Sequence, residues 1–201
     1  MTLSIRRHLA VLALGCALTA PARSLAQVTP QEREMVTLGT DFAKKCSATL
    51  ERWIASKEIT EEKLFGYLYY PIVGSDPLKY HTDYDKLSDR DILGVEDAVL
   101  ARSPTIVFAV LVDKNGYLPT HNTKYSQPLT GNRAVDLVNN RTKSIFIDRT
   151  GISAARNQAP FLFQRYQRDT GESLMDLSVP VFVRGAHWGA VRIGYRPVDS
   201  N

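Results

Sequence analysis

A short stretch after a tight turn, DKNGYLPTHNTKYS at 113–126, brings together side chains that could do chemistry. The Asn-Gly pair at 115–116 is a turn signal, because both residues tolerate positive φ. His121, Asn122 and Tyr125 follow it and offer an imidazole, an amide and a phenol. These groups would suit a protease site, a metal site or the rim of a small-molecule pocket.

The surrounding sequence gives little support to catalysis or metal binding. Ser126 lies five residues from His121, a spacing that does not orient a nucleophile against its base, and the chain has no G-x-S-x-G elbow. The three histidines after residue 26 form no i, i+4 pair, and neither HExxH nor CxxC occurs. We therefore expect no enzyme activity, no metal and no cofactor. An enzyme that uses His121 or His187 as a base remains an alternative.

Arginines and aromatic residues alternate between residues 139 and 169, as in FLFQRYQRD at 161–169. Arginine can bind a carboxylate or phosphate through two parallel hydrogen bonds. Trp188, between small neighbours, could add a flat apolar wall with a polar rim. These features predict a pocket for an anionic or amphoteric small molecule. The predicted ligand contacts are His121, Asn122, Tyr125, Arg141, Arg156, Tyr166, Asp169 and Trp188.

The N-terminus has the layout of a secretory signal peptide. Arg6 and Arg7 precede an apolar run at 9–18, and small residues follow as far as Ala26. The run is too short to span a bilayer, which needs about 20 residues. We expect residues 1–26 to be removed and the mature protein to be periplasmic. Lipid anchoring at Cys16 is an alternative that the sequence favours less, because Ala13 stands where Leu is usual in a lipoprotein box.

Removal of the signal peptide changes the charge of the protein. The full chain of 201 residues has a formal net charge of +4, and residues 1–26 carry three arginines and no acid, so the mature chain carries +1. A nucleic-acid-binding surface is therefore not expected. One cysteine, Cys46, remains after cleavage, which excludes an internal disulfide in the mature chain.

Hydrophobic periodicity predicts a long N-terminal helix over residues 27–57. Thr29, Pro30 and Glu32 form a capping box with proline in the first turn. An apolar stripe then recurs every three or four residues across about seven turns. The stripe consists of Met35, Leu38, Phe42, Cys46, Leu50 and Trp53. It could pack on the chain's own sheet or form a homodimer through residues 30–56.

The remainder of the chain, residues 58–201, is predicted to be mainly an antiparallel sheet. TIVFAVLVD at 105–113 is a buried strand, and the turn at 115–116 should return it as a hairpin. Further strands are predicted at 143–147, 161–168, 174–184 and 187–195, with a helix at 133–140 and a short helix or loop at 151–157. The order of helices before strands indicates an α+β fold.

Several of these segments, taken in order, resemble the periplasmic sensory domain of bacterial methyl-accepting chemotaxis proteins. The matching segments are LFGYLYYPIVGSDPLKY, DKNGYLPTHNTKYS, TGN, NRTKSIFIDRTGISAARN, FLFQRYQRDTGE and DLSVPVFVRGAHWGAVRIGY. They cover about residues 58–196. The resemblance implies a Cache/PAS-like fold: a long N-terminal helix, an antiparallel sheet of about five strands, and a ligand pocket between the sheet and its flanking loops.

The resemblance implies a stand-alone sensory module, because the receptors' transmembrane and signalling regions have no counterpart in these 201 residues. We expect an exported small-molecule-binding sensor that acts through a separate, unknown signalling partner. The alternative is a structural or interaction protein that dimerises or binds a partner through its long N-terminal helix and takes no ligand.

Overall fold

The computed structural model describes residues 28–167 and 171–198, except for the side chain of Tyr166. The described part of the chain forms six α-helices, α1 to α6, and eight strands, β1 to β8. The helices are α1 (Pro30–Ala55), α2 (Glu61–Gly66), α3 (Asp85–Asp91), α4 (Leu93–Leu100), α5 (Arg133–Asn139) and α6 (Arg149–Ala155). The strands are β1 (Tyr70–Pro71), β2 (Tyr80–His81), β3 (Ile106–Asp113), β4 (Tyr117–Leu118), β5 (Ser144–Ile145), β6 (Leu162–Gln167), β7 (Ser173–Val183) and β8 (Ala186–Tyr195). The α+β class is confirmed.

Helix α1 begins at the predicted capping box. The Thr29 hydroxyl accepts from the backbone N–H of Glu32 at 3.1 Å, and the Glu32 carboxylate accepts from the backbone N–H of Thr29 at 2.7 Å. The predicted apolar stripe is buried against β7 and β8, except for the partly buried Leu38. A homodimer through residues 30–56 would therefore have to use the polar face of α1, and it stays a prediction. None of the described helices is long and apolar enough to cross a membrane.

The main sheet has four antiparallel strands in the order β3-β8-β7-β6, so the expected five-stranded sheet is wrong. The Asn-Gly turn does form, with Gly116 at φ +82° and its N–H donating to the carbonyl of Asp113 at 2.9 Å. However, the chain does not return along β3 as the hairpin prediction required. Strand β4 turns away and pairs with β5, while β8 takes the place beside β3. The Asn-Gly turn was therefore predicted correctly from local sequence. The strand that pairs with β3 is determined by long-range contacts.

Side chains, rather than a fifth strand, satisfy the outer edge of β3. The backbone N–H of Ala109 donates to the amide oxygen of Asn122 at 2.8 Å, and that of Leu111 donates to the Glu96 carboxylate at 2.9 Å. Both acceptor side chains are fully buried. Unpaired N–H groups on an exposed edge strand invite pairing with another chain. This edge is therefore closed within the molecule, and the sheet ends at β3.

The turn after β3 is held by the side chain of Asp113. One carboxylate oxygen accepts from the backbone N–H groups of Asn115 and Tyr117 at 2.8 and 3.0 Å, and the other accepts from the hydroxyls of Tyr69 and Tyr84 at 2.6 and 2.7 Å. Four donors satisfy this fully buried carboxylate. The turn directs the following residues across the end of the sheet.

The sheet has two differently covered faces, which we call the helix face and the cavity face. On the helix face, α1 packs against side chains such as Leu177, Val191 and Ile193. On the cavity face, a second apolar cluster joins the sheet to α6, β4 and the loop that carries Tyr125. Alternation along each strand sends successive side chains to opposite faces. Neighbouring residues of one strand therefore contribute to different faces, as Val191 on the helix face and Arg192 at the cavity do.

We predict that Asn122→Ala lowers the free energy of unfolding by about 1–3 kcal/mol, because it leaves the buried N–H of Ala109 without an acceptor. Urea titration measures the change. Asn139→Ala, at an exposed position, is the matched control and should stay within about 0.5 kcal/mol of the wild type. Equal stability of the two variants would show that Asn122 does not support the edge of β3.

Glu96 should make stability depend on pH. Burial raises the pKa of this carboxyl well above its usual value, so the folded state favours the protonated form. Its contribution is complete below the pKa of the unfolded chain and is lost as pH rises through the folded pKa. Glu96→Gln keeps an oxygen acceptor for Leu111 and cannot ionise. Its stability relative to wild type should therefore increase from pH 4.5 to pH 8, by at most about 1.4 kcal/mol per pH unit. Glu34→Gln, an exposed control, should show no such trend in the same urea titrations.

Candidate ligand-binding site

A small cavity of about 30 Å³ lies on the cavity face between the sheet, β4 and the loop that follows it. We call it the inner cavity. Three of its lining side chains are basic or titratable, and the other four are apolar or aromatic. The lining residues are Phe108, Val110, Leu118, His121, Arg141, Phe146 and Arg192. A space of this size holds a water molecule or a carboxylate-sized group, but not a whole metabolite.

Arg192 is held to the floor of the inner cavity by a buried ion pair. Its guanidinium lies 3.1 Å from one carboxylate oxygen of Asp176, to which its Nε–H donates. The guanidinium carbon also lies 5.7 Å from the centre of the Phe108 ring. Burial raises the pKa of Asp176, and Arg192 opposes that shift. The pair spans two neighbouring strands, because Asp176 is on β7 and Arg192 on β8.

His121 reaches the inner cavity because its loop is tied down on both sides. Asn122 bonds to the edge of β3, and the hydroxyl of Ser126 donates to the His121 carbonyl at 2.8 Å. The buried imidazole stacks obliquely on Tyr125, with ring centres 4.9 Å apart, and lies edge-on to Phe108 at 6.4 Å. Ser126 thus holds the loop in place through this hydrogen bond.

Arg141 stands between the inner cavity and a larger space outside it. Its backbone N–H donates to the carbonyl of Tyr125 at 2.7 Å, and its guanidinium donates to the carbonyl of Leu137 at 3.1 Å. The guanidinium carbon lies 5.2 Å from the centre of the Phe146 ring. Arg141 and Phe146 also line a surface groove of about 400 Å³, which we call the outer groove. Its lining residues are Pro77, Leu78, Tyr80, Leu137, Asn140, Arg141, Ser144, Ile145, Phe146 and Ile147.

A buried lysine lies behind the outer groove. The ammonium of Lys79 donates to the carbonyls of Asn140 and Thr142 at 3.0 and 2.8 Å and to the hydroxyl of Ser144 at 3.4 Å. Burial lowers its pKa to about 8, and the positive charge of Arg141 acts in the same direction. Its charge therefore adds to the positive potential beside the groove.

The predicted ligand contacts separate into different environments. His121 and Arg141 line the inner cavity, and Tyr125 stacks against His121. Asn122 does not face the cavity: its amide oxygen binds the edge of β3, and its amide nitrogen donates to Asp97 at 3.4 Å.

Arg156 and Trp188 also lie away from the inner cavity. Arg156 is exposed at the end of α6. Trp188 is fully buried on the helix face, where its indole N–H donates to the carbonyl of Leu64 at 3.1 Å. Tyr166 lies in β6 opposite Leu174, while Asp169, like the predicted signal peptide and Cys16, falls outside the described residues.

Sequence reasoning missed five of the residues that line the inner cavity: Phe108, Val110, Leu118, Phe146 and Arg192. Phe108 and Arg192 occur in strands that were correctly predicted, so the available signal was the alternation along each strand. An arginine flanked by Val191 and Ile193 looks solvent-facing unless its strand is known to be covered on both faces. The pairing of Arg192 with Asp176 across β7 and β8 would have identified a buried charge, but register is not visible in the sequence.

The described part of the chain contains no group of three or more His, Cys, Asp or Glu side chains placed to hold a metal ion. No protein-family model and no curated protein matches the chain.

Several solved structures are similar to this chain, and two of them are described here. One is an extracellular ligand binding receptor from Desulfohalobium retbaense DSM5692, at 17% identity and a TM-score of 0.37, matched over 85% of this chain and 26% of that one. The other is the extracellular domain of the histidine kinase rpHK1S-Z16, at 17% identity and a TM-score of 0.34, matched over 86% of this chain and 59% of that one. The chain thus spans about a quarter and three fifths of these proteins. TM-scores this low indicate a loose similarity from which no function follows.

The lowered pKa of Lys79 predicts how the stability of the protein depends on pH. Because its pKa is lowered to about 8 in the folded state, the unfolded chain binds more protons between pH 8 and pH 9.5, and stability should rise across that range. Lys79→Met should lose this rise relative to wild type, a difference of at most about 1.4 kcal/mol per pH unit. Lys45→Met, on the exposed face of α1, is the control for urea titrations. Parallel profiles for wild type and Lys79→Met would contradict the lowered pKa.

Proposed function

We propose that the protein is an exported sensory module that binds a small anionic molecule on the cavity face and acts through a separate signalling partner. One observation carries the proposal: the side chains of Arg141, Arg192 and His121 converge on one cavity. Buried arginines suit carboxylate and phosphate groups, because their guanidinium geometry matches these anions. The export-type N-terminus and the resemblance to chemoreceptor sensory domains support the sensory role and the Cache/PAS-like assignment.

The charges around the site differ in how firmly they are already paired. Arg192 shares its charge with the buried Asp176. Arg141 donates to a backbone carbonyl and lies over an aromatic ring, and Lys79 donates to two carbonyls and a hydroxyl. Arg141 lines both the inner cavity and the outer groove, so an incoming anion can approach its guanidinium from either space.

Binding at Arg141 would reach the flanking loops through existing hydrogen bonds. Its backbone N–H is bonded to Tyr125, and the same loop carries His121. A bound anion that draws the two side chains together would shift loop 119–132, and the segment 148–160 that contains α6, between open and closed populations. A partner that recognises one arrangement of these loops would complete the signalling step.

Substitution of Arg141 tests this proposal. Substitution of Arg192 would break a buried ion pair, so its effect on binding could not be separated from its effect on stability. Arg141→Ala should weaken binding of a small carboxylate at least tenfold, and Arg141→Lys should weaken it less, since the positive charge is kept. Calorimetry with natively purified protein measures the affinity, using acetate, 3-phenylpropanoate, sulfate and inorganic phosphate as probes.

Arg156→Ala is the matched control, because it removes an exposed arginine that does not line the inner cavity. Its affinity should equal that of the wild type. Mass spectrometry of any small molecule released on unfolding gives an independent indication of the ligand. The proposal is overturned if none of the four anions binds and none raises the melting temperature.

A further inference from the structure

The outer groove is a second concave surface, and most of it lies outside the proposed anion site. Its volume of about 400 Å³ is within the size range of small-molecule sites, whereas the inner cavity measures about 30 Å³. Arg141 and Phe146 line both spaces, and the remaining lining residues of the groove belong to the groove alone. The groove therefore has room for a molecule of its own.

The walls of the outer groove are mainly apolar, and two of its lining side chains are aromatic. Leu78 and Ile147 line it and are 54% and 73% exposed. Large exposed apolar side chains around a concavity are typical of a surface that is covered when a ligand or partner binds. Tyr80 and Phe146 contribute aromatic rings. These rings favour an aromatic guest, because ring pairs gain energy beyond that of their buried area.

One polar group in the lining lacks a hydrogen-bond donor. The amide nitrogen of Asn140 donates to the carbonyl of Gln127 at 2.6 Å, and this bond fixes the orientation of the amide. The amide oxygen is buried and accepts no hydrogen bond from any residue in the described part of the chain. A buried acceptor without a donor is unfavourable, so a ligand that supplies the donor relieves that cost.

Ser144, another polar residue in the lining, already has hydrogen-bond partners. Its hydroxyl donates to the carbonyl of Thr142 at 3.3 Å and accepts from the ammonium of Lys79 at 3.4 Å. Of these two lining residues, it is therefore Asn140 that offers an acceptor to a ligand in the groove.

We propose that the outer groove binds a neutral aromatic molecule that carries a hydrogen-bond donor, of which a phenol is the simplest example. Its ring packs against Tyr80 and Phe146, and its hydroxyl donates to the amide oxygen of Asn140. A phenol is uncharged at pH 7, because its pKa is close to the value of about 10 for tyrosine. This site does not depend on the anion site in the inner cavity, so it would add a second ligand to the proposed function.

Three compounds of similar size separate the contributions of the donor and the ring. The compound 4-methylphenol has both, 4-methylanisole lacks the donor, and 4-methylcyclohexanol keeps the hydroxyl but has no aromatic ring. Calorimetry uses natively purified protein in a buffer free of acetate, sulfate and phosphate. The phenol should bind more tightly than either of the other compounds, by about fivefold or more.

Substitution of Asn140 tests which group accepts the hydrogen bond. Asn140→Leu removes the acceptor and should weaken binding of 4-methylphenol about fivefold, while the affinity for 4-methylanisole stays unchanged. A variant that only distorted the groove would weaken both compounds alike. Equal losses for the two compounds, or no loss for either, would overturn the assignment of Asn140 as the acceptor.

Substitution of Ile147 tests where the ring lies. Ile147→Asp places a charge against the bound ring at a largely exposed position and should weaken 4-methylphenol by about fivefold. Val73→Asp is the control, because Val73 is 98% exposed and does not line the groove. It should leave the affinity unchanged. A phenol that binds equally well to wild type, Ile147→Asp and Asn140→Leu does not lie in the groove, and the inference is then overturned.

The remaining outcomes are also decisive. If 4-methylcyclohexanol binds as tightly as 4-methylphenol, the requirement for an aromatic ring is overturned. If none of the three compounds binds, the inference fails, and sedimentation of a dimer that Ile147→Asp dissociates would show that a second copy covers the groove instead. The proposed function fails separately, when acetate, 3-phenylpropanoate, sulfate and phosphate all fail to bind, and that result would leave a phenol site in the groove intact.

Discussion

The hydrogen bond between the amide oxygen of Asn122 and the backbone N–H of Ala109 is the contact on which much of this structure depends. It closes the outer edge of β3, so the sheet ends there. It also fixes the loop that follows the Asn-Gly turn, and that loop carries His121 into the inner cavity. The same loop also positions Arg141, because the Tyr125 carbonyl accepts a hydrogen bond from the backbone N–H of Arg141. The second basic side chain is thereby held at the inner cavity. An amide that the sequence suggested as a ligand contact is instead the anchor for two candidate ligand contacts.

Several buried cationic side chains lie near one site, and the fold stabilises their charges in different ways. Arg192 has a buried carboxylate partner across β7 and β8, whereas Lys79 is solvated by carbonyl and hydroxyl oxygens. The lowered pKa of Lys79 is the expected consequence of the second arrangement, because oxygen dipoles offset its desolvation only in part. The proposed anion site would be preorganised in this way, since the fold holds its side chains before any ligand arrives.

The sequence predicted the elements whose signal is local and failed where the answer depended on distant pairing. The capping box at Thr29 and the stripe through Phe42 and Trp53 predicted α1 to within two or three residues at each end, because caps and periodicity are short-range properties. The partner of β3 was wrong, because β8 lies far along the chain and local sequence carries no record of register.

The site shows the same division between local and distant information. Alternation along a predicted strand could not say which face of the sheet α1 would cover. The structure places Trp188 on the helix face, whereas Arg192, four residues later, faces the cavity. The bulge where β7 pairs with β8, between Val181 and Phe182, shifts the register between these two positions. A count of alternating residues along β8 therefore fails across this point.

Strand β8 contributes side chains to both faces of the sheet. Arg192 lies on the cavity face, and its neighbours Val191 and Ile193 belong to the core that α1 covers. Because close-packed interiors transmit displacement rather than absorb it, movement of the backbone at Arg192 must be accommodated at the contact between β8 and α1. The apolar stripe of α1 is thus part of the same packed unit as the inner cavity.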